Sequence, residues 1–281
     1  MTSPRFAFHS ILEHEIHVTE WGDPANPPLV MWHGLARTGR DFDELAAGLS
    51  DRWFVLCPDT IGRGWSSWSK NPEAEYSIEY LTGIAVDLLD QYDIDKAAWI
   101  GTSMGGLIGM RMASGPLASR LTKLVINDIG PEIPQAAIDR IGTYAGDQPT
   151  FDTVQAMEDW LKTIYAPFGN APDAFWRRMT LSSIRRRDDG RITLHYDPKL
   201  ILQFTVNAHE LTTWDRYAKI TLPTHVVWGM KSDVLPASVV ERMRAEGPKP
   251  SVTEFPEFGH APSLSREEDI ALVRKILDDL G

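Results

Sequence analysis

The chain has 281 residues, 43% of them hydrophobic and 24% charged, with a formal net charge of −11. That length and apolar content are enough to bury one main core, and they exclude a globally disordered chain. The negative balance opposes broad binding to phosphate backbones, so no nucleic-acid partner is expected.

At the N-terminus, residues 6–8 and 16–21 are short apolar or alternating runs, punctuated by Gly22-Asp23-Pro24 and Pro27-Pro28, and predict an opening pair of strands. His9, Glu13, His14 and Glu15 break any apolar leader, so a cytosolic chain without a membrane span is expected. A strand at 29–32, a helix at 41–49 and a strand at 53–57 follow. Cys57, the only cysteine, ends that last run, so no intrachain disulfide and no cysteine-based zinc site can form; it reads as a packed small residue.

The alternation continues with a helix at 78–92, a strand at 97–100, a helix at 104–113 and a strand at 123–127. Short, uniformly apolar strands separated by helices predict an α/β fold with a parallel sheet covered on both faces. From Pro131 to about Thr213 the rhythm changes to helical segments rich in aromatics, among them Trp160, Tyr165, Phe168, Phe175, Trp176 and Tyr196, with a break at Gly169-Asn170-Ala171-Pro172. This predicts a mostly helical insertion, some of whose aromatics face a pocket. Within it, Arg185-Arg186-Arg187 runs straight into Asp188 and Asp189 and reads as a solvated turn. Strands at 224–228 and 251–255 then flank a helix at 237–245, and a helix at 267–280 closes the chain. The expected organisation is a core in two parts, 1–130 and 214–281, with an insertion at 131–213.

Gly101-Thr102-Ser103-Met104-Gly105 lies between the strand at 97–100 and the helix after it. A serine at such a strand-to-helix apex needs small neighbours and carries its hydroxyl outward, as a nucleophile requires. With His33-Gly34, Asp59-x-x-Gly62-x-Gly64-x-Ser66 and Gly259-His260 in the same order along the chain, the sequence resembles the capped α/β-hydrolase superfamily, in its branch of serine esterases, lactonases and carbon–carbon bond hydrolases. The resemblance implies a mostly parallel eight-stranded sheet flanked by helices, with the insertion as a helical cap.

A serine hydroxyl must lose its proton as it attacks a carbonyl, so a histidine and a carboxylate to orient it are needed. The resemblance assigns Ser103 as nucleophile, His260 as base and Asp233, in the loop after the strand at 224–228, as acid; Asp128, which also follows a strand, is the reserve acid. It also places the oxyanion donors at the N–H groups of Leu35 and Met104, with His33 shaping that loop. No metal or organic cofactor is implied. Arg37 and Arg63 either hold a substrate carboxylate or brace loops, and Trp65, Trp160, Tyr165 and Phe168 are candidate apolar substrate contacts. The expected partner is a small or medium ester, or a related carbonyl compound. Lactone hydrolysis, cleavage of an acidic diketone and non-catalytic ligand binding on the same fold stay open, as does assembly into a homo-oligomer.

Overall fold

The computed structural model describes residues 3–281. Its strands in chain order are β1 (Arg5–Ile11), β2 (His14–Trp21), β3 (Pro28–Trp32), β4 (Phe54–Pro58), β5 (Ala97–Thr102), β6 (Leu121–Asn127), β7 (Ile184–Arg186), β8 (Ile192–Leu194), β9 (Thr224–Gly229) and β10 (Ser251–Phe255). Eight of them form one sheet in the order β1-β2-β4-β3-β5-β6-β9-β10. β2 runs antiparallel to β1 and β4, and every pair from β4 to β10 is parallel.

The apolar runs are buried because alternate residues serve opposite faces of the sheet. Val30, Trp32, Leu56, Trp99 and Leu124 join one core cluster beneath the helices Ile78–Gln91 and Met104–Ala113. Leu29, Met31, Val55, Cys57 and Ala98 join the other, beneath Asp43–Leu49 and Glu267–Asp279. Trp32 and Trp99, both fully buried, stack at 5.4 Å between centroids. Several strand runs extend past their predicted ends; β5 reaches Thr102 and delivers the chain directly to Ser103.

Between β6 and β9 the chain forms the helices Gln135–Ala145, Val154–Ile164 and Asp173–Ser183. It also holds the antiparallel pair β7–β8, each strand three residues long and too short to show a period in the sequence. Arg185 and Arg186 belong to β7, and the turn that follows is closed by the Gly190 N–H donating to the Arg187 carbonyl. Main-chain bonds tie this inserted segment to the core on two sides: Gly64 N–H to His195 O (2.9 Å) with Asp197 N–H to Gly62 O (2.7 Å), and Gly259 N–H to Pro167 O (2.9 Å). Among the described residues no helix is long and apolar enough to cross a membrane.

Candidate active site

The ends of β5, β6 and β9 converge at one edge of the sheet, where open parallel sheets bind ligands. Ser103 occupies the tight turn from β5 into the helix Met104–Ala113 with φ 52° and ψ −116°, a region that costs a non-glycine residue about 1–3 kcal/mol. Glycine neighbours are compulsory there, since a Cβ on Gly105 would sit 2.0 Å from the Trp32 carbonyl oxygen. The Ser103 N–H is held by the Asn127 carbonyl at 3.0 Å, so the strained turn is pinned to the end of β6.

Ser103 Oγ lies 2.9 Å from His260 Nε2, and His260 Nδ1 lies 2.9 Å from Asp128 Oδ2. An ionised Asp128 accepts from Nδ1–H, which leaves Nε2 free to accept the serine proton. Asp128 is 0% exposed, and its other oxygen accepts the Gly229 N–H at 2.7 Å. Burial pushes this carboxyl above its ordinary range, while hydrogen bonds from His260, Ser232 and Gly229 pull the other way. Asn127, the residue before it, donates to Thr102 Oγ1 and to the Pro262 carbonyl, holding the loop that carries His260.

This geometry corrects the expectation for Asp233. Its carboxylate is taken bidentately by Arg140, Nε to Oδ2 at 2.5 Å and Nη2 to Oδ1 at 3.0 Å, and its side chain is 47% exposed. The loop after β9 curls around the Ser232 hydroxyl, which accepts the N–H groups of Val234 and Leu235, and Asp233 sits on the outside of that curl. The reserve carboxylate, Asp128, is the one on the histidine.

His33 is fully buried with both ring nitrogens engaged: Nδ1 donates to the Gly34 carbonyl and Nε2 accepts the Thr60 N–H. Burial lowers its pKa to about 4, so the ring is neutral and braces the loop that leads to Leu35. Leu35 lines the cavity above Ser103, and Met104, as the first residue of its helix, has no intrahelical acceptor for its N–H.

The remaining expected contacts divide. Tyr165 and Phe168 line the Ser103 cavity together with Arg37. Arg37 is closed off by Asp41 (2.8 and 2.6 Å) and by Ser183 Oγ (3.0 Å), with the Tyr165 ring 5.1 Å from the guanidinium, and it joins core to insertion. Arg63 is 0% exposed, does not line the cavity, and donates to the Leu35 and Ile61 carbonyls. Trp65, 53% exposed, lines a separate cavity with His17, Arg177 and Leu181 that has no lining residue in common with the first. Trp160 packs against Phe151 inside the insertion and is no wall of the Ser103 cavity. The structure adds Arg140, Tyr144 and Phe175 as lining residues. A hint of Arg140 and Tyr144 was available in the amphipathic spacing of Ala137, Ile141 and Ala145, which buries one face of the helix Gln135–Ala145, whereas Phe175 was already among the aromatics of residues 131–213. Among the described residues no three His, Cys, Asp or Glu side chains are grouped as metal ligands.

A family model for the alpha/beta hydrolase fold matches residues 27–267. A 3-hydroxybutyrate-oligomer hydrolase of Cupriavidus necator is 38% identical over 284 aligned positions, covering 96% of each chain. A pimeloyl-[acyl-carrier protein] methyl ester esterase of Vibrio cholerae is 26% identical over 247 positions, covering 85% of this chain and 89% of the relative. In three dimensions the chain is similar to an alpha/beta hydrolase from Novosphingobium aromaticivorans, with a TM-score of 0.83, 28% identity and 99% of both chains covered.

Proposed function

Since this chain belongs to the α/β-hydrolase family, and so is a hydrolase, we propose that it cleaves short oligoesters of a hydroxy acid through an acyl-enzyme on Ser103. The observation that carries the reading is the unbroken relay from Ser103 Oγ through His260 to Asp128, with 2.9 Å at each step. In acylation the serine oxygen attacks the ester carbonyl while His260 Nε2 takes its proton, and Asp128 stabilises the imidazolium. The N–H groups of Leu35 and Met104 receive the charge that develops on the carbonyl oxygen. His260 then protonates the departing alkoxide. A water enters, gives its proton to the same nitrogen and attacks the acyl carbon, and collapse of that adduct releases the acid and restores the Ser103 hydroxyl.

Two features support the substrate class. The relative with 38% identity is named for 3-hydroxybutyrate oligomers. The cavity also suits a neutral ester segment, because its walls include Leu35, Ile141, Ile164, Phe168 and Phe175, and its two arginines, Arg37 and Arg140, are each matched by an aspartate.

The test incubates wild type and Ser103→Ala with the dimer and trimer of 3-hydroxybutyrate, short aryl esters, a lactone and an acidic dienone, with intact-protein mass spectrometry alongside. Oligoester turnover with an acyl adduct on Ser103, reduced by at least about 10³-fold in the variant, is expected. Undiminished turnover in Ser103→Ala overturns the nucleophile, and preference for the lactone or the dienone overturns the substrate class.

A further inference from the structure

Arg63 is a fully buried guanidinium that makes no ion pair with any carboxylate among the described residues. Its fork is spent instead on two main-chain carbonyls and a methionine sulfur. Nε donates to the Leu35 carbonyl at 2.8 Å, Nη1 donates to the Ile61 carbonyl at 2.7 Å, and Nη2 lies 3.7 Å from Met104 Sδ. The Tyr76 ring lies 5.0 Å from the guanidinium, and Tyr76 in turn donates to Asp197 of the inserted segment at 2.8 Å. Burial lowers the Arg63 pKa to about 10, which still leaves it charged at neutral pH.

A buried cation with no carboxylate in direct contact is costly even with Asp197 acting on it from a distance, and a neutral side chain of similar volume would avoid that cost while leaving the Leu35 and Ile61 carbonyls without this donor. A cation held against Leu35 and Met104 has one evident use, since these two residues carry the proposed oxyanion donors. We propose that Arg63 is the positioning residue of the oxyanion pocket: it clamps the loop at Leu35 against the helix start at Met104 and sets a fixed positive charge behind the carbonyl oxygen. This rests on the hydrolytic reading of Ser103. The clamp is anchored from the far side as well, because the flanking glycines pair with the insertion through Gly64 N–H to His195 O and Asp197 N–H to Gly62 O. The charge assists most where negative charge appears, at the tetrahedral stage, and little in the ground state.

The experiment compares wild type, Arg63→Met and Arg63→Lys, with Ser103→Ala as the control. Five quantities are measured: kcat and KM on one ester, inhibition by an alkyl trifluoromethyl ketone that adds to serine as an oxyanion, inhibition by the matching non-hydrolysable ether, and Tm. Arg63→Met is expected to lower kcat about 10²-fold and to weaken the ketone by the same factor, while KM and ether binding stay within about twofold. Arg63→Lys, which keeps the charge but loses the fork, is expected to recover part of both losses and to report on its own if the methionine variant does not fold. Unchanged kcat in a folded variant overturns the proposal, and so does a parallel weakening of ether and ketone. If Ser103→Ala keeps its turnover in the same assay, the hydrolytic reading itself has failed.

Discussion

Replacing each of two aspartates by asparagine tests which carboxylate serves His260. In Asp128→Asn the amide must satisfy the partners that the two carboxylate oxygens now hold: the Gly229 N–H at 2.7 Å, His260 Nδ1 at 2.9 Å and the Ser232 hydroxyl. The amide oxygen is needed at Gly229, since an N–H cannot face another N–H, and the amide NH2 is then turned toward His260. Nδ1 becomes an acceptor, the ring proton moves to Nε2, and that nitrogen can no longer take the proton of Ser103. The same inversion of tautomer costs a serine protease about 10⁴ in kcat, or about 5 kcal/mol of barrier, and a loss of that order is expected. Burial already disfavours the Asp128 charge, so the neutral asparagine is expected to fold with an undiminished Tm. Asp233→Asn breaks only a half-exposed pair with Arg140, worth about 0–1 kcal/mol, and is expected to hold kcat within a few-fold. Steady-state turnover of one ester by the two purified variants, with a melting curve for each, is the assay. An inactive Asp233→Asn beside an active Asp128→Asn would refute the relay.

Acid should weaken the fold through His33, whose pKa of about 4 in the folded chain lies below the ordinary 6.5. A depressed value means that the stabilisation is complete above pH 6.5 and is lost as the pH falls toward 4, about 2 kcal/mol of it by pH 5. Calorimetry of wild type and His33→Gln at pH 7 and pH 5 should therefore show a smaller acid loss in the variant; His225, also lowered to about 4, contributes equally to both and cancels. Equal losses in the two proteins would rule out the His33 contribution. Gly105→Ala drives a methyl to 2.0 Å from the Trp32 carbonyl oxygen, a main-chain atom with nowhere to retreat, and should cost about 3 kcal/mol in urea unfolding. A loss below about 1 kcal/mol with full turnover would show that the turn tolerates a side chain.

What could be read along the chain was whatever depends on near neighbours. The order of strands and helices follows from apolar runs such as 29–32 and 97–100, which are buried on both faces and so carry no polar residue. Ser103 was legible because its turn demands glycine two residues to either side, and His260 because a glycine-histidine loop after the last strand is a local pattern. The acid was not. Asp128 directly follows β6 and Asp233 lies in the loop after β9, and nothing in their flanking residues says which will reach a histidine brought from elsewhere in the chain. That was decided by a positive φ of 56° at Asp128, by the Gly229 N–H that fixes its carboxylate, and by Arg140, which reaches over from the insertion to occupy Asp233. Trp65 and Arg37 were settled in the same way, one facing a different cavity and the other closed by Asp41 and Ser183. Strand periodicity and turn chemistry act over a few residues and are written in the sequence, whereas the partner of a charged or aromatic side chain is chosen among groups that only the folded chain brings within 3–5 Å.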